Sequence, residues 1–384
     1  MKNKKQLGIY IHIPFCVQKC VYCDFLSAPM DDKTKEKYVT ALISEIENSA
    51  LPEEKADSYC VKTIFFGGGT PSILSGKQIG SIISAVRKSF DVDEYAEVTI
   101  ECNPGTLDDE KTFAYRECGI NRISMGLQSA VDGELSMLGR IHDLKAFEKS
   151  FTMARKYGFN NINIDIMSAI PGQTLESFEY TLKSVIACRP EHISAYSLIV
   201  EEGTSLCENI DRYPPLPDEE TERKMYHLTG KLLKKAGYER YEISNYSKPG
   251  YECQHNLSYW DRKDYMGFGI GAASLFEETR YTNCTDVKKY IEANGDTRFI
   301  RENIEPLNVK DMMEEFMFLG LRKTAGIDER LFKLQFGKAI EDVYHDVLEK
   351  NMKNGLLEKK DHNYYLSDYG LDISNTVMAD FMLL

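Results

Sequence analysis

No stretch of this 384-residue sequence is apolar enough to cross a bilayer. Its most hydrophobic runs are strand-length and interrupted by polar residues, whereas a spanning helix needs about 20 apolar residues in a row. Excess positive charge is also missing. With 47 Lys and Arg against 60 Asp and Glu the net charge is −13, which argues against nucleic acid as the main partner, because phosphate binding needs clustered cations. No signal peptide is expected: Met1-Lys-Asn-Lys-Lys-Gln is basic, but His12, Pro14 and Cys16 stand where an apolar segment and a cleavage site would lie. No secreted disulfide framework is visible among the 10 cysteines. Internal repeats and low-complexity tracts are absent, and tryptophan occurs once, at Trp260. A cytoplasmic globular protein is expected, with reduced thiols and at most a peripheral membrane contact. Its composition, 42% hydrophobic and 28% charged, is ordinary, and the length allows one large domain and a small one.

Against these absences stand three crowded cysteines, Cys16, Cys20 and Cys23, spaced Cys-x3-Cys-x2-Cys. Iron–sulfur cubes normally take four Cys; three thiolates would leave one iron open for a small chelating ligand. Structural zinc is the alternative, and it wants four closed ligands. His12 could be recruited, but it lies in an apparent strand, and no second Cys-x2-Cys pair follows.

Strand-like runs alternate with helix-period segments over the first 240 residues or so. Strands are expected at Gly8, Val61, Glu97, Asn121, Asn161 and His192. Helices are expected over 38–48, 77–90, 144–157, 175–187 and 218–236. Successive β-α units argue for a parallel sheet in closed or partly closed barrel form, with an open doubly wound sheet as the alternative. After Tyr241 the alternation breaks. A Gly- and aromatic-rich stretch runs to Phe276, then a mixed helical tail with a helix over 312–321, another over 348–355 and a short strand over 364–368.

Polar and glycine groups follow the strands, which in a β/α barrel places them on the active face. Gly67-Gly68-Gly69-Thr70-Pro71 follows the second strand. It is not a phosphate-binding P-loop, since no Gly-Lys-Ser/Thr follows, and on its own it reads equally well as a tight turn. Glu101 and Asp165 could accept bonds from ribose hydroxyls, and Arg140 could pair with a carboxylate. Gln128 closes the fourth strand. Each alone could equally be an internal hydrogen bond or ion pair; their shared end of the sheet favours a site.

The Cys triplet with Tyr22 before its third member, and the Gly-Gly-Gly-Thr-Pro loop, resemble the radical S-adenosylmethionine (SAM) superfamily. Tyr10-Ile-His-Ile-Pro-Phe-Cys, Gly67-Gly-Gly-Thr-Pro-Ser, Asn121-Arg-Ile-Ser-Met-Gly-Leu-Gln and Asp165-Ile-Met-Ser-Ala-Ile-Pro-Gly-Gln-Thr are similar to the oxygen-independent coproporphyrinogen III oxidase family over almost the whole chain. The resemblance implies an α/β fold: a partial (β/α)6 barrel over 1–240, a connecting segment over 241–300 and a small mixed α/β, winged-helix-like C-terminal domain over 301–384. It implies a [4Fe-4S] cluster on Cys16, Cys20 and Cys23, and SAM contacts from Tyr10, Tyr22, Gly68, Gly69, Thr70, Glu101, Gln128, Arg140 and Asp165. In that family the open iron chelates the amine and carboxylate of SAM.

Two departures point to a branch. The oxidase carries another Cys two residues after the third cluster Cys, where this chain has Phe25, and it has a long N-terminal segment where this chain has about ten residues. Both look like the HemW branch, the haem chaperones, as does His255-Asn-Leu-Ser-Tyr-Trp260. That branch is implicated in binding haem and delivering it to haemoproteins of the respiratory chain. His255 is the expected haem ligand, with Cys253 second and Tyr259 and Trp260 packed on the porphyrin; the alternative is a core His packed with its neighbours between barrel and tail. The alternative activity is the oxidase reaction, coproporphyrinogen III to protoporphyrinogen IX. A zinc-stabilised barrel without catalysis is the third reading.

Overall fold

In the computed structural model, which describes residues 4–382, six parallel strands stand side by side in chain order. They are β1 (Lys5–Ile13), β2 (Tyr59–Gly68), β3 (Val92–Cys102), β4 (Arg122–Gln128), β5 (Ile162–Ser168) and β6 (His192–Ser197). Consecutive order is that of a barrel; a doubly wound sheet would reverse part-way. The barrel does not close. Beyond β6 lie β7 (Glu239–Arg240) and β8 (Asn245–Ser247); on the other side β1 pairs with β9 (Asp264–Phe268), followed by β10 (Ala273–Phe276), β11 (Thr279–Asn283) and β12 (Arg301–Pro306). The twelve-stranded sheet therefore keeps two free edges.

Successive strand residues point to opposite faces. Ile9, Ile11 and Ile13, Ile64 and Phe66, Val98 and Ile100, Ile123 and Met125, and Ile162, Ile164 and Ile166 are all buried in one core with the helices. Each contributes about 1.5–3 kcal/mol by leaving water. The alternate residues, among them Tyr10, Thr63, Phe65, Glu101, Arg122, Ser124, Asn163 and Asp165, line the concave face. Its polarity follows directly from the period-two pattern.

The helices fall close to the expected ranges. Asp32–Asn48 begins six residues before the expected Tyr38, because Asp31 caps it by accepting from Thr34 N at 2.7 Å, so a fully polar first turn is helical. Gly76–Ser89 starts at a Ser75/Gln78 capping box. Asp109–Glu117 and Asp132–Met137 were not visible as periodic runs, being only nine and six residues long.

The stretch after Tyr241 is built into the large sheet rather than hung from it. Helix Gln254–Trp260 packs across the base of β2 and β3, pinned by Glu97, whose carboxylate accepts from Gln254 N and His255 N, both at 3.1 Å. The tail has its own core, including Met317, Leu321, Phe332, Ile340, Tyr344 and Phe381, around helix Val309–Gly320. A small antiparallel sheet of β13 (Ile327–Asp328), β14 (Leu357–Lys360) and β15 (Asn363–Leu366) flanks it. Glu315 joins the two parts: one oxygen meets Arg262 Nε and the other Arg280 Nη2, each at 2.6 Å, with Glu315 and Arg262 buried. At a second seam the Arg322 guanidinium lies 4.3 Å above the Trp260 ring. No helix among the described residues is long and apolar enough to cross a membrane.

Candidate functional site

Past β1 the chain turns into the cysteine loop, which is tied to its surroundings by backbone bonds. Cys16 N donates to Ala28 O, Ala28 N to Pro14 O and Thr70 N to Phe15 O at 3.2, 2.9 and 2.7 Å. Phe15 is fully buried with its edge against Tyr38, which anchors the start of the loop. The three thiols are free and partly exposed. Thr70 Oγ1 donates to Cys16 Sγ at 3.7 Å and Arg140 Nη1 to Cys20 Sγ at 3.6 Å.

The Gly67–Gly69 loop lies directly against this one. Gly68 has φ +112°, and a Cβ there would stand 2.5 Å from the His12 ring. A Cβ on Gly69 would stand 2.7 Å from Phe15 O. A side chain at Gly68 would drive into the His12 ring on β1, and one at Gly69 would push the two loops apart.

A cavity of about 270 Å³ opens between the loops and the strand ends. Cys16, Cys20, Tyr22, Cys23, Gly68, Gly69, Thr70, Glu101, Gln128, Arg140 and Asp165 all line it. Of the residues expected there only Tyr10 is missing. Its ring lies deeper, with its hydroxyl 3.1 Å from His12 Nδ1 and its face on Phe65. The three sulfurs share the cavity without converging on a single point, and among the described residues no three His, Cys, Asp or Glu side chains do so. A cube distributes its protein ligands over separate irons, so the donor set of three free thiols suits a cluster with one open iron.

Two half-buried carboxyls face the cavity. Glu101 Oε2 accepts from Gly68 N at 3.2 Å; burial first, and then the charge of Asp165, pushes its carboxyl up to about 8. Glu101 is thus mostly protonated at neutral pH and can donate as well as accept. Asp165 is also raised by burial, but it accepts from Asn163 Nδ2 at 2.8 Å and Ser124 Oγ at 3.1 Å, bonds that favour its ionised form. Gln128 sits in the left-handed region at φ 69°, a strain on the order of 1 kcal/mol, and its Oε1 accepts from the Tyr196 hydroxyl at 2.9 Å. Arg140 does not wait free for a carboxylate. Its Nη2 donates to Gly126 O at 2.5 Å and Asn103 Oδ1 at 3.0 Å, leaving only Nε buried without a partner.

Several lining groups escaped the sequence reading: Asn103, Ser124 and Tyr196 in the wall, and Arg122, Asn163 and His192 beneath it. For Ser124 and Asn163 the available signal was alternation along β4 and β5, where each falls between buried apolar residues.

His255, the expected haem ligand, is packed into the protein: the residue is 1% exposed. Nδ1 lies 2.8 Å from Thr63 Oγ1 and Nε2 2.8 Å from the Tyr259 hydroxyl, so both nitrogens are engaged. Burial, with Arg122 nearby, pushes the imidazole down to about 3. Tyr259 is packed edge-on against Tyr265, Trp260 is covered by Arg322, and Cys253 is fully buried. The motif forms the floor of the barrel, below Phe65, whose ring stacks on His255 at 5.1 Å.

Comparison with known proteins follows the same outline. A family model described as the radical SAM superfamily matches residues 10–185, and one described as the HemN C-terminal domain matches 307–373. The haem chaperone HemW of Bacillus subtilis is 36% identical over 378 residues, spanning 97% of this chain and 98% of that protein. The chain belongs to the HemW family. HemW of Escherichia coli is 33% identical over 387 residues, spanning 98% of each chain. In three dimensions the radical SAM enzyme coproporphyrinogen III oxidase (HemN) of Escherichia coli matches with a TM-score of 0.85 at 23% identity, over 99% of this chain and 90% of its own, a likeness of fold. This chain and HemN thus share one architecture, and the cavity described above lies where its strands end.

Proposed function

We propose that this HemW-family protein is a haem chaperone that holds a [4Fe-4S] cluster on Cys16, Cys20 and Cys23, binds SAM in the adjoining cavity and hands haem to haemoproteins. The observation that carries this reading is the convergence of three free thiols and the polar strand ends on one cavity, in a chain similar along its length to proteins named haem chaperones.

When bound, the cluster supplies a one-electron reductant with an open coordination position for SAM. The residues around it have separable tasks. Thr70 and Arg140 donate to two of the sulfurs and so hold negative charge on them. Glu101, protonated at neutral pH, offers a proton and Asp165 a carboxylate, a donor–acceptor set matched to vicinal hydroxyls. Phe25, 60% exposed at the cavity wall, puts a ring rather than a fourth thiol beside the cluster loop.

Haem is cargo in this reading. His255 meets it only when its ring leaves Thr63 on β2 and Tyr259 one turn along its own helix, so those two hydroxyls act as a latch on the ligand.

Anaerobic reconstitution should incorporate about four irons and four sulfides, change the electron paramagnetic resonance spectrum on adding SAM, and yield protein that passes haem to an apo-haemoprotein. Zinc without iron or sulfide would overturn the cluster assignment. Turnover of coproporphyrinogen III to protoporphyrinogen IX, with SAM and a reductant, would replace the chaperone reading by the oxidase one.

A further inference from the structure

Beneath the cavity runs a chain of hydrogen bonds whose direction can be worked out from its far end. Register aligns Ser124 on β4 with Asn163 on β5, and Asn163 with His192 on β6. All three side chains are buried. His192 Nδ1 lies 2.6 Å from Asn163 Oδ1, and His192 Nε2 lies 2.7 Å from the Tyr241 hydroxyl. Asn163 Nδ2 reaches Asp165 Oδ1 at 2.8 Å and Ser124 Oγ at 2.7 Å, while Ser124 Oγ donates to Asp165 Oδ2 at 3.1 Å.

The polarity starts at Cys253. Its backbone N–H can only donate, and it donates to the Tyr241 oxygen at 3.2 Å. The Tyr241 proton is then free to go to His192 Nε2, which leaves the His192 proton on Nδ1, donating to Asn163 Oδ1. That bond settles which way the Asn163 amide faces. Its carbonyl is held by His192 and by Ser194 Oγ at 3.2 Å, so its NH2 must face Asp165 and Ser124. A flipped amide would turn a carbonyl oxygen toward a carboxylate. Protonated His192 would donate from both nitrogens and lose the bond from Tyr241; burial and the nearby Arg122 oppose that state by driving the imidazole well below its usual range. Tyr241 is itself fixed by its main chain, whose carbonyl accepts from Thr324 N of the C-terminal part at 3.0 Å.

We propose that His192 is a positioning residue for the cavity: it orients the Asn163 amide so that Asp165 is presented as a doubly supported carboxylate, and it is itself set from the barrel base by Tyr241. The inference rests on the reading that Asp165 receives the ribose hydroxyls of SAM.

The test is calorimetric binding to the anaerobically reconstituted full chain, using SAM and an S-adenosyl analogue lacking both ribose hydroxyls. Wild type should bind SAM more tightly than the analogue. His192→Leu frees the amide to flip, and SAM affinity should fall about tenfold, the weight of one hydrogen bond to a charged group, while analogue affinity stays unchanged. His192→Asn keeps a donor near the Nδ1 position and should recover most of the loss. Tyr241→Phe, the mildest change, should lower SAM affinity two- to threefold and leave the analogue alone, and it serves if His192→Leu does not fold. Equal weakening of both ligands, or SAM affinity untouched in His192→Leu and Tyr241→Phe, overturns the positioning role. Wild-type protein with a reconstituted cluster that binds no SAM overturns the reading of the cavity instead.

Discussion

Arg140 donates from Nη1 to the sulfur of Cys20 at 3.6 Å. A half-buried cation touching a thiolate favours extra electron density on a cluster bound there. Arg140→Gln should therefore make the cluster harder to reduce. If the contact is worth about 1.4 kcal/mol, the shift is roughly 60 mV downward for a one-electron couple, read by potentiometric titration of the reduced-cluster signal. A potential that stays put would show that the guanidinium serves only its carbonyl and amide partners.

Glu101 makes stability depend on pH in a definite direction. Its carboxyl titrates near 8 when folded, far above an unfolded glutamate. Between these values the native state holds the proton more tightly than the unfolded chain does, so stability falls as pH rises toward 8. Glu101→Gln removes the proton and with it this loss. The variant should gain on wild type as pH goes from 5.5 to 8, by roughly 5 °C in melting temperature, measured on cluster-free protein at both values. Parallel curves for the two proteins would sink this assignment.

Tyr259 and His255 offer a test of the latch. Tyr259→Phe frees Nε2 of His255 but keeps the aromatic packing against Tyr265. If the free imidazole is the haem ligand, this variant should bind haem several-fold more tightly than wild type, because a larger share of molecules is competent. His255→Ala should then lose the Soret band gained on haem titration. Affinities indifferent to both changes would place the ligand elsewhere.

Glu315 is the most exposed weakness in overall stability. Both of its oxygens face arginines across the seam between sheet and tail, in a setting where the carboxylate is 8% exposed. Glu315→Ala leaves Arg262 with Glu278 alone, 2.5 Å from its Nη2, and removes one buried charged contact from each arginine; it should cost about 2–3 kcal/mol, seen as a lower midpoint in urea. A change below 1 kcal/mol would mean that the two guanidinium groups find water when the carboxylate goes.

Much of this architecture could be read in advance, for a physical reason. Strands β1 to β6 announce themselves because each carries a buried apolar face, and β-α alternation admits few topologies. The cavity wall was legible wherever a residue type had an unusual reason to be there, as with the cysteines, Gly68, Gly69 and the carboxyl of Glu101. Ser124, Asn163 and His192 were not, because a serine, an asparagine and a histidine in strands are unremarkable until register sets them side by side. His255 was ambiguous for the opposite reason. Imidazole, tyrosine and tryptophan in one motif suit a porphyrin, and they suit equally well a buried helix that needs its polar groups satisfied. Sequence carries the residue types; only the fold says which of their bonds are already taken.

Trp260 ends that helix, and the chain has no other tryptophan. Its indole lies beneath the Arg322 guanidinium, with Nε1 buried and unbonded. Indole emission depends on the polarity and the charge around the ring. The protein is therefore born with a single optical reporter, sited where the barrel floor meets the tail, and any motion of the His255 helix relative to that tail should be visible as a change in ultraviolet fluorescence without a label.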